Sequence, residues 1–271
     1  MKTPEPLLSI ITVNLNNREG LERTLESVAS QTCRDFEYVV VDGGSTDGSR
    51  ELIESRAGMI DRWVSEPDRG VYAAMNKGVR MAREKYVLFL NSGDSLFDSR
   101  TIEKILPALE GDATVVAGDV YNWGDGVEGK ISRSPKKITL PFLVFFTVNH
   151  QACFIRRDRL EDRPYDEGLR IVSDWKFFLQ EHLDGRLNYR KVPVVVSRYN
   201  TDGLSARNMD ALVDERKQTL AELGVDVYDL CSNVPYELIE GFNSLPSNYR
   251  FSRLISKIDL AIMRLYRRFK R

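Results

Sequence analysis

The sequence predicts an α/β fold, a mixed, mainly parallel sheet flanked by helices, with a basic amphipathic helical extension at the C-terminus. Three observations predict it. Short β-branched runs alternate with helical patterns in the first part of the chain, polar residues follow each run directly, and cations crowd the final stretch. Strands alternating with helices build right-handed βαβ units, and such a parallel sheet is covered on both faces.

Leu8-Ser9-Ile10-Ile11-Thr12-Val13 has the length and branching of a buried strand and ends in the polar run Asn14 to Asn17. Glu19 to Ser30 carries apolar Leu21, Leu25 and Val28 at helical spacing. Phe36 to Val41 reads as a second strand, closed by Asp42-Gly43-Gly44-Ser45, after which Thr46 or Asp47 can cap a helix running through Leu52 and Ile53. Trp63-Val64-Ser65 and Tyr86 to Leu90 form two further strands around a helix from Ala73 to Arg83. Beyond residue 110 the pattern loosens into a strand at Thr114 to Gly118, a Gly-rich turn at Gly124 to Gly129, an apolar stretch at Phe142 to Val148, and His150 to Ile155. The expected domain spans 1–225, with a nucleotide-binding half to about 110 and an acceptor half after it; 226–271 is the helical extension.

Composition narrows the class. With 271 residues, 42% of them hydrophobic, the chain can bury a sizeable core. Cys33, Cys153 and Cys231 are odd in number and lack CxxC spacing, which speaks against a disulfide framework or a zinc cluster and fits a reducing compartment. Met1 to Pro6 lacks the basic start and long apolar core of a signal peptide, and no apolar run reaches the ~20 residues of a membrane span. The expected location is therefore cytoplasmic.

In a parallel sheet, ligands sit beyond the carboxyl ends of the strands. The chemically informative residues lie there: Asn14 and Asn16, Asp42, Glu66 with Asp68 and Arg69, and Asn91 with Asp94. A carboxylate in a tight Gly-containing turn, Asn91-Ser92-Gly93-Asp94, suits a hard divalent cation; its alternative is a cap on the following helix. Asp42, as an acceptor, can bind a nucleobase or ribose while the adjacent Gly43 lets backbone approach, and a plain turn is the competing reading. A calcium loop fails there, since the template's glycine and final glutamate fall on Asp47 and Ile53. A dinucleotide oxidoreductase fails too, because Asn14-Leu15-Asn16-Asn17 stands where a GxGxxG turn belongs.

Together Ser9 to Asn14, Val40 to Gly48, Glu66-Pro67-Asp68-Arg69-Gly70 through Met75-Asn76-Lys77-Gly78, and Phe89 to Asp94 resemble the inverting family 2 glycosyltransferases of the GT-A fold. His150-Gln151 and Ser173-Asp174-Trp175 extend the likeness towards the colanic-acid and exopolysaccharide branch of bacterial enzymes. The resemblance implies a nucleotide-sugar donor, a glycan or lipid-linked glycan acceptor, and Mg²⁺ or Mn²⁺ as cofactor. It implies roles as well: Thr12, Asn14, Asn16, Asp42, Gly43, Asp68, Arg69, Asn76, Asn91 and Ser92 on the donor, Asp94 on the metal, and Asp174 as general base. His150, Gln151, Trp175, Arg198 and Arg207 are expected near the acceptor or diphosphate. One departure matters: the family's Asp-any-Asp motif has Asn91 or Ser92 in place of its first acid, so Asp94 holds the metal with the donor's diphosphate. The rival function is a nucleotide-sugar-binding protein without transfer activity.

From Tyr249 to Arg271, eight Lys and Arg stand against Asp259 alone, while the whole chain carries a net charge of −1. Phe251, Leu254, Ile255, Ile258, Ile262 and Leu265 recur at helical spacing among these cations, describing a basic amphipathic helix suited to an anionic leaflet. Peripheral contact with the inner face of the plasma membrane is the expectation; docking on the body or on a second copy, as a homodimer, is the alternative. Nucleic acid is not expected, as the body is acidic and shows no recognition module.

Overall fold

In the computed structural model, residues 7–124, 127–200 and 208–226 are described. The chain divides into two compact units, Met1–Val225 and Asp226–Arg271, and of the second only Asp226 is among the described residues. The tail helix expected at 249–271 and Arg207 lie outside them.

The first half alternates as the sequence suggests: β1 (Leu8–Asn14), α1 (Arg18–Ala29), β2 (Glu37–Asp42), α2 (Ser49–Ser55), β3 (Arg62–Ser65), α3 (Val71–Met81) and β4 (Tyr86–Phe89). β5 (Ser95–Leu96), α4 (Thr101–Leu109), β6 (Val115–Gly124), β7 (Val127–Ser132), α5 (Leu140–Phe145), β8 (Cys153–Arg156), α6 (Arg157–Asp162), α7 (Ser173–Leu183), β9 (Tyr189–Asn200) and α8 (Met209–Glu222) follow. The sheet runs β3-β2-β1-β4-β8-β6-β9-β5, with β7 paired to β6. Parallel pairing covers β3-β2-β1-β4 and recurs between β6 and β9; β8, β7 and β5 pair antiparallel.

Every residue of β1, β2 and β4 is buried, which is why these strands read as nearly continuous apolar runs. Leu8, Ile10, Tyr38, Val40, Tyr86 and Leu88 join Leu21, Leu25 and Val28 of α1 and Ile102, Ile105 and Leu109 of α4 in one core cluster. The opposite face of β1 meets α3 so closely that a Cβ on Gly78 would stand 2.4 Å from Ile11 Cγ2.

Several elements differ from expectation for identifiable reasons. The residue before α2 is Gly48, at φ 89°, and Asp47 serves that end by accepting the Ser49 N–H at 3.1 Å. The strand expected to stop at Gly118 runs on to Gly124 because β7 and β9 supply ladder partners on both sides. β9 has no strong alternation and includes Pro193, yet its pairing with β6 and β5 holds it extended.

Gly78→Ala should destabilise the protein by about 1–3 kcal/mol through overpacking against Ile11. Urea denaturation checks this; the small gain usual for glycine to alanine inside a helix would show that α3 can move off β1.

Candidate active site

Register sets the first cluster. β1 pairs Asn14 with Asp42, and β3 pairs Ser65 with Asp42, so three polar residues end their strands in one row. The Asp42 carboxylate is wholly buried; Oδ1 accepts from Asn14 Nδ2 at 2.8 Å and Ser45 Oγ at 2.5 Å, and Oδ2 from Ser45 N at 3.0 Å and Ser65 Oγ at 2.7 Å. Burial alone would raise its pKa, but these hydrogen bonds, led by those from Ser45 and Ser65, hold it below the usual carboxylate range. Asp42 thus reaches a ligand only where Asn14, Ser45 or Ser65 turns towards that ligand. Asn16, left-handed at φ 48°, folds the β1 loop over it: its N–H donates to Ser45 Oγ at 2.8 Å and its Oδ1 accepts the Thr46 N–H at 2.8 Å.

Asp68 closes the other side. A Cβ on Gly43 would lie 3.5 Å from Asp68 Oδ2, which is buried and has no hydrogen-bond partner. Asp68 Oδ1 pairs with Lys77 at 2.5 Å, and Lys77 also reaches Glu66 at 2.9 Å. Arg69 is exposed next to this pair.

Two expected donor ligands face elsewhere. Thr12 is enclosed two residues before the strand end, bonded to Leu90 O at 2.8 Å and to Tyr38 Oη at 3.0 Å. Asn76, 4% exposed, clamps the 165–167 loop through Tyr165 O at 2.8 Å, Tyr165 N at 2.9 Å and Glu167 at 3.0 Å, because its position on α3 points inward.

The second cluster is the turn after β4. Ser92 N bonds Val13 O and Asp94 N bonds Asn91 O, while Gly93 takes φ 103°, a conformation that favours glycine. Thr24 of α1 braces the turn, donating to Asp94 O at 2.6 Å and accepting from Gly93 N at 3.1 Å. Ser92 takes Asn17 Nδ2 on its carbonyl at 3.1 Å. Asp94 caps no helix; the next element is β5. Its carboxyl is 5% exposed and accepts one backbone N–H, from Asn200 at 3.2 Å. Burial pushes its pKa up to about 7, against the lowering effects of the nearby His150 charge and the Asn200 N–H.

Among the described residues no group of three or more His, Cys, Asp or Glu could hold a metal ion. The oxygen donors at this turn still fit one that is completed from outside: Asp94 is an under-solvated carboxylate, and Asn91 Oδ1 is buried without a partner.

The third cluster surrounds Asp174, at the N-terminus of α7 and 8% exposed. Tyr72 Oη donates to its Oδ1 at 3.0 Å, and His150 Nδ1 lies 2.9 Å from its Oδ2. Burial raises its pKa, but the hydrogen bond and charge of His150, then the Trp175 N–H and Tyr72, outweigh it and keep the group below the usual range. His150 Nε2 is buried with no hydrogen-bond partner, and Gln151 beside it is buried. Tyr199, pushed up to about 12 chiefly by burial, is also within electrostatic reach of the carboxylates of both Asp94 and Asp174.

Trp175 and Arg198 are engaged elsewhere. Trp175, 1% exposed, donates Nε1 to Leu143 O at 2.5 Å and carries the Arg216 guanidinium 4.8 Å from its ring centroid. Arg198 lies over the Phe97 and Tyr121 rings at 4.8 and 5.3 Å and donates to Phe97 O. Sequence reasoning missed Tyr72, Ser45, Ser65 and Glu215. Glu215 of α8 accepts the N–H groups of Arg170 and Ile171 at 2.9 Å and of Val172 at 3.2 Å, pinning the approach to α7. Only Ser45 and Ser65, next to a strand end, carried a readable signal.

The lowered pKa of Asp42 gives a pH signature. Its contribution to stability is present above the unfolded value of about 3.9 and is lost as pH falls through the lower folded value. Wild type should be more stable than Asp42→Asn at neutral pH, and the gap should narrow as pH drops below about 4, measured by urea midpoints at several pH values.

Comparison with known proteins adds an independent line. The family model described as Glycosyl transferase family 2 matches residues 9–162. A PGL/p-HBAD biosynthesis glycosyltransferase of Mycobacterium bovis is 34% identical over 235 residues, covering 81% of this chain and 87% of the relative. A glycosyltransferase of Mycobacterium tuberculosis without an assigned activity is 32% identical over 190 residues, covering 67% of this chain and 71% of the relative. Among solved structures, the mannosyltransferase PcManGT from Pyrobaculum calidifontis, in complex with GDP-Man and Mn²⁺, is similar at a TM-score of 0.60 and 18% identity, over 83% of this chain and 66% of that one. S. aureus TarS in complex with UDP-GlcNAc is similar at 0.59 and 20% identity, over 71% of this chain but 58% of that one. Against the longer TarS chain the share is 36%. At these identities the structures establish the fold.

Proposed function

The chain belongs to glycosyl transferase family 2, and from that premise we propose that it transfers a sugar, with inversion, from a UDP- or GDP-sugar to a hydroxyl of a lipid-linked glycan in bacterial polysaccharide biosynthesis. The observation that carries the reading is the set of acids at the strand ends and beside them: Asp42 and Asp68 beside the β1 loop, Asp94 after β4, and Asp174 at the N-terminus of α7, within electrostatic reach of the same Tyr199 as Asp94. The relative named for PGL/p-HBAD biosynthesis and the neighbours solved with UDP-GlcNAc or GDP-Man support it at the level of chemistry.

Each acid has a separable part. Asp68 offers an unpartnered oxygen to a base or ribose hydroxyl beside Gly43, and the Asp42 network orients Asn14 and Ser45 around the same ligand. Asp94, with Asn91 next to it, would hold Mg²⁺ or Mn²⁺, which when bound neutralises charge on the donor's diphosphate. Asp174 is the carboxylate on which removal of the acceptor's proton depends. No helix among the described residues is long and apolar enough to cross a membrane, and a lipid-linked acceptor calls for contact with the leaflet that holds it. The basic tail at 249–271 supplies that contact on the cytoplasmic leaflet.

A binding protein without transfer activity is the second reading, favoured by the missing first acid at Asn91 or Ser92. A thermal-shift screen of UDP-, GDP- and dTDP-sugars with Mn²⁺ or Mg²⁺ separates the two. We expect metal and donor to stabilise cooperatively and Asp94→Ala to abolish the metal-dependent part. Donor binding indifferent to metal, with no sugar nucleotide consumed on any acceptor, would favour the second reading. Asp174→Asn should lower turnover by about 10²–10⁴-fold while leaving the donor-induced shift in place; turnover near wild type would remove Asp174 from the reaction.

A further inference from the structure

The three residues ahead of α7 take their backbone partners from a distant side chain. The N–H groups of Arg170, Ile171 and Val172 donate to the Glu215 carboxylate of α8 at 2.9, 2.9 and 3.2 Å, across 45, 44 and 43 residues of chain. Backbone donors in a packed loop need partners, and here one carboxylate supplies them for three consecutive residues. α7 begins at Ser173 with no side-chain cap of its own, and a negative charge just before its N-terminus is favoured by the helix dipole.

The rest of α8 grips the same turn. Arg216, the next residue, holds its guanidinium 4.8 Å from the Trp175 ring centroid and donates to Phe145 O of α5 at 3.3 Å. Further along α8, Glu222 pairs with Lys176 at 3.4 Å. α8 thus contacts Val172, Trp175 and Lys176, on both sides of Asp174. The Asp174 carboxylate meets Tyr72 Oη at 3.0 Å and His150 Nδ1 at 2.9 Å, partners carried by other elements. Those bonds hold only while the backbone of this turn stays in place, because a hydrogen bond weakens steeply as its angle closes.

We propose that Glu215 is a positioning residue for the transfer reaction: from α8 it fixes the backbone ahead of α7, and through that backbone the place of the Asp174 carboxylate. This rests on the transfer reading above, in which removal of the acceptor's proton depends on Asp174. The Glu215 carboxylate is taken up by three backbone N–H groups, so it acts through Asp174 and not on the substrate. A catalytic group displaced by about 1 Å can cost about 10²-fold in rate, even when the change lies far from the chemistry. The donor acids Asp42 and Asp68 stand on the β1 and β2 side of the sheet, so donor binding does not depend on this brace. Both α7 and α8 lie past residues 9–162, which the family model matches; the brace belongs to this chain and not to the matched segment.

With UDP-GlcNAc or GDP-Man as donor, Glu215→Ala in the full chain should lower kcat by about 10²-fold at a donor KM within about twofold of wild type. Glu215→Gln, which keeps the size and one acceptor oxygen, should fall between the two, and it decides the comparison if Glu215→Ala does not fold. Glu37→Gln is the control for lost stability alone. Glu37 is another buried carboxylate that accepts a backbone N–H, from Arg83 at 2.8 Å, but at the opposite end of β2 from Asp42. Its kcat should stay within about threefold of wild type. A second readout needs no substrate: the chain has two histidines, so ¹⁵N-histidine NMR, with His182→Gln for assignment, follows the ring that Asp174 holds. Glu215→Ala should shift the His150 resonances in the direction that Asp174→Asn shifts them. A Glu215 variant with kcat within about threefold of wild type, a loss matched by Glu37→Gln, or His150 resonances unmoved overturns the proposal. If wild type consumes neither donor, the transfer reading loses its support separately, and the His150 resonances alone decide whether Glu215 holds Asp174 in place.

Discussion

The in-register parallel pairing of β1 with β2 and β2 with β3 is the constraint from which the site follows. It lines up Asn14, Asp42 and Ser65 at the carboxyl ends of three strands, of which β1 and β2 are buried along their length. A slip of one residue would turn every buried side chain to the other face, so the register is held by the whole core. Asp42 can be a fully buried charge because that alignment delivers hydrogen bonds from Asn14 and Ser65, to which Ser45 in the following turn adds two more. Remove the alignment and the same carboxylate becomes a liability.

The other two clusters depend on returns from distant parts of the chain. β9 runs beside β6 and reaches β5, bringing the Asn200 N–H to Asp94. β8 pairs antiparallel with β4, and the turn ahead of it presents His150. α7 is placed by three separate ties: Glu215 on the residues before it, Tyr165 packed on Tyr72, Phe89 and Phe177, and Asn76 holding Tyr165. These explain why Tyr72 and Asp174, 102 residues apart, share a hydrogen bond.

Environment separates acids that share a side-chain type. Asp42 and Asp174 are buried but richly hydrogen-bonded, and both sit below the usual range; Asp94 is buried with one backbone donor and is pushed up to about 7. Groups whose surroundings drive their pKa values apart can be given different tasks on one surface. Here the two satisfied carboxylates are held ionised by their neighbours, and the unsatisfied one is the group that a cation would relieve.

By itself the sequence determined the alternation of β1 to β4 with three helices, the acids at the strand ends, the tight turn ahead of Asp94 and the family. All of these are carried within short windows by periodicity, glycine placement and side-chain chemistry. It could not show that Thr12 and Asn76 face inward, that Trp175 is a core residue, or that Arg198 stacks on Phe97 and Tyr121, since orientation depends on which element packs against which. β9, Glu215 and Tyr72 were illegible for the same reason. Their partners lie tens of residues away, and no local pattern encodes a hydrogen bond that exists only once the sheet has closed.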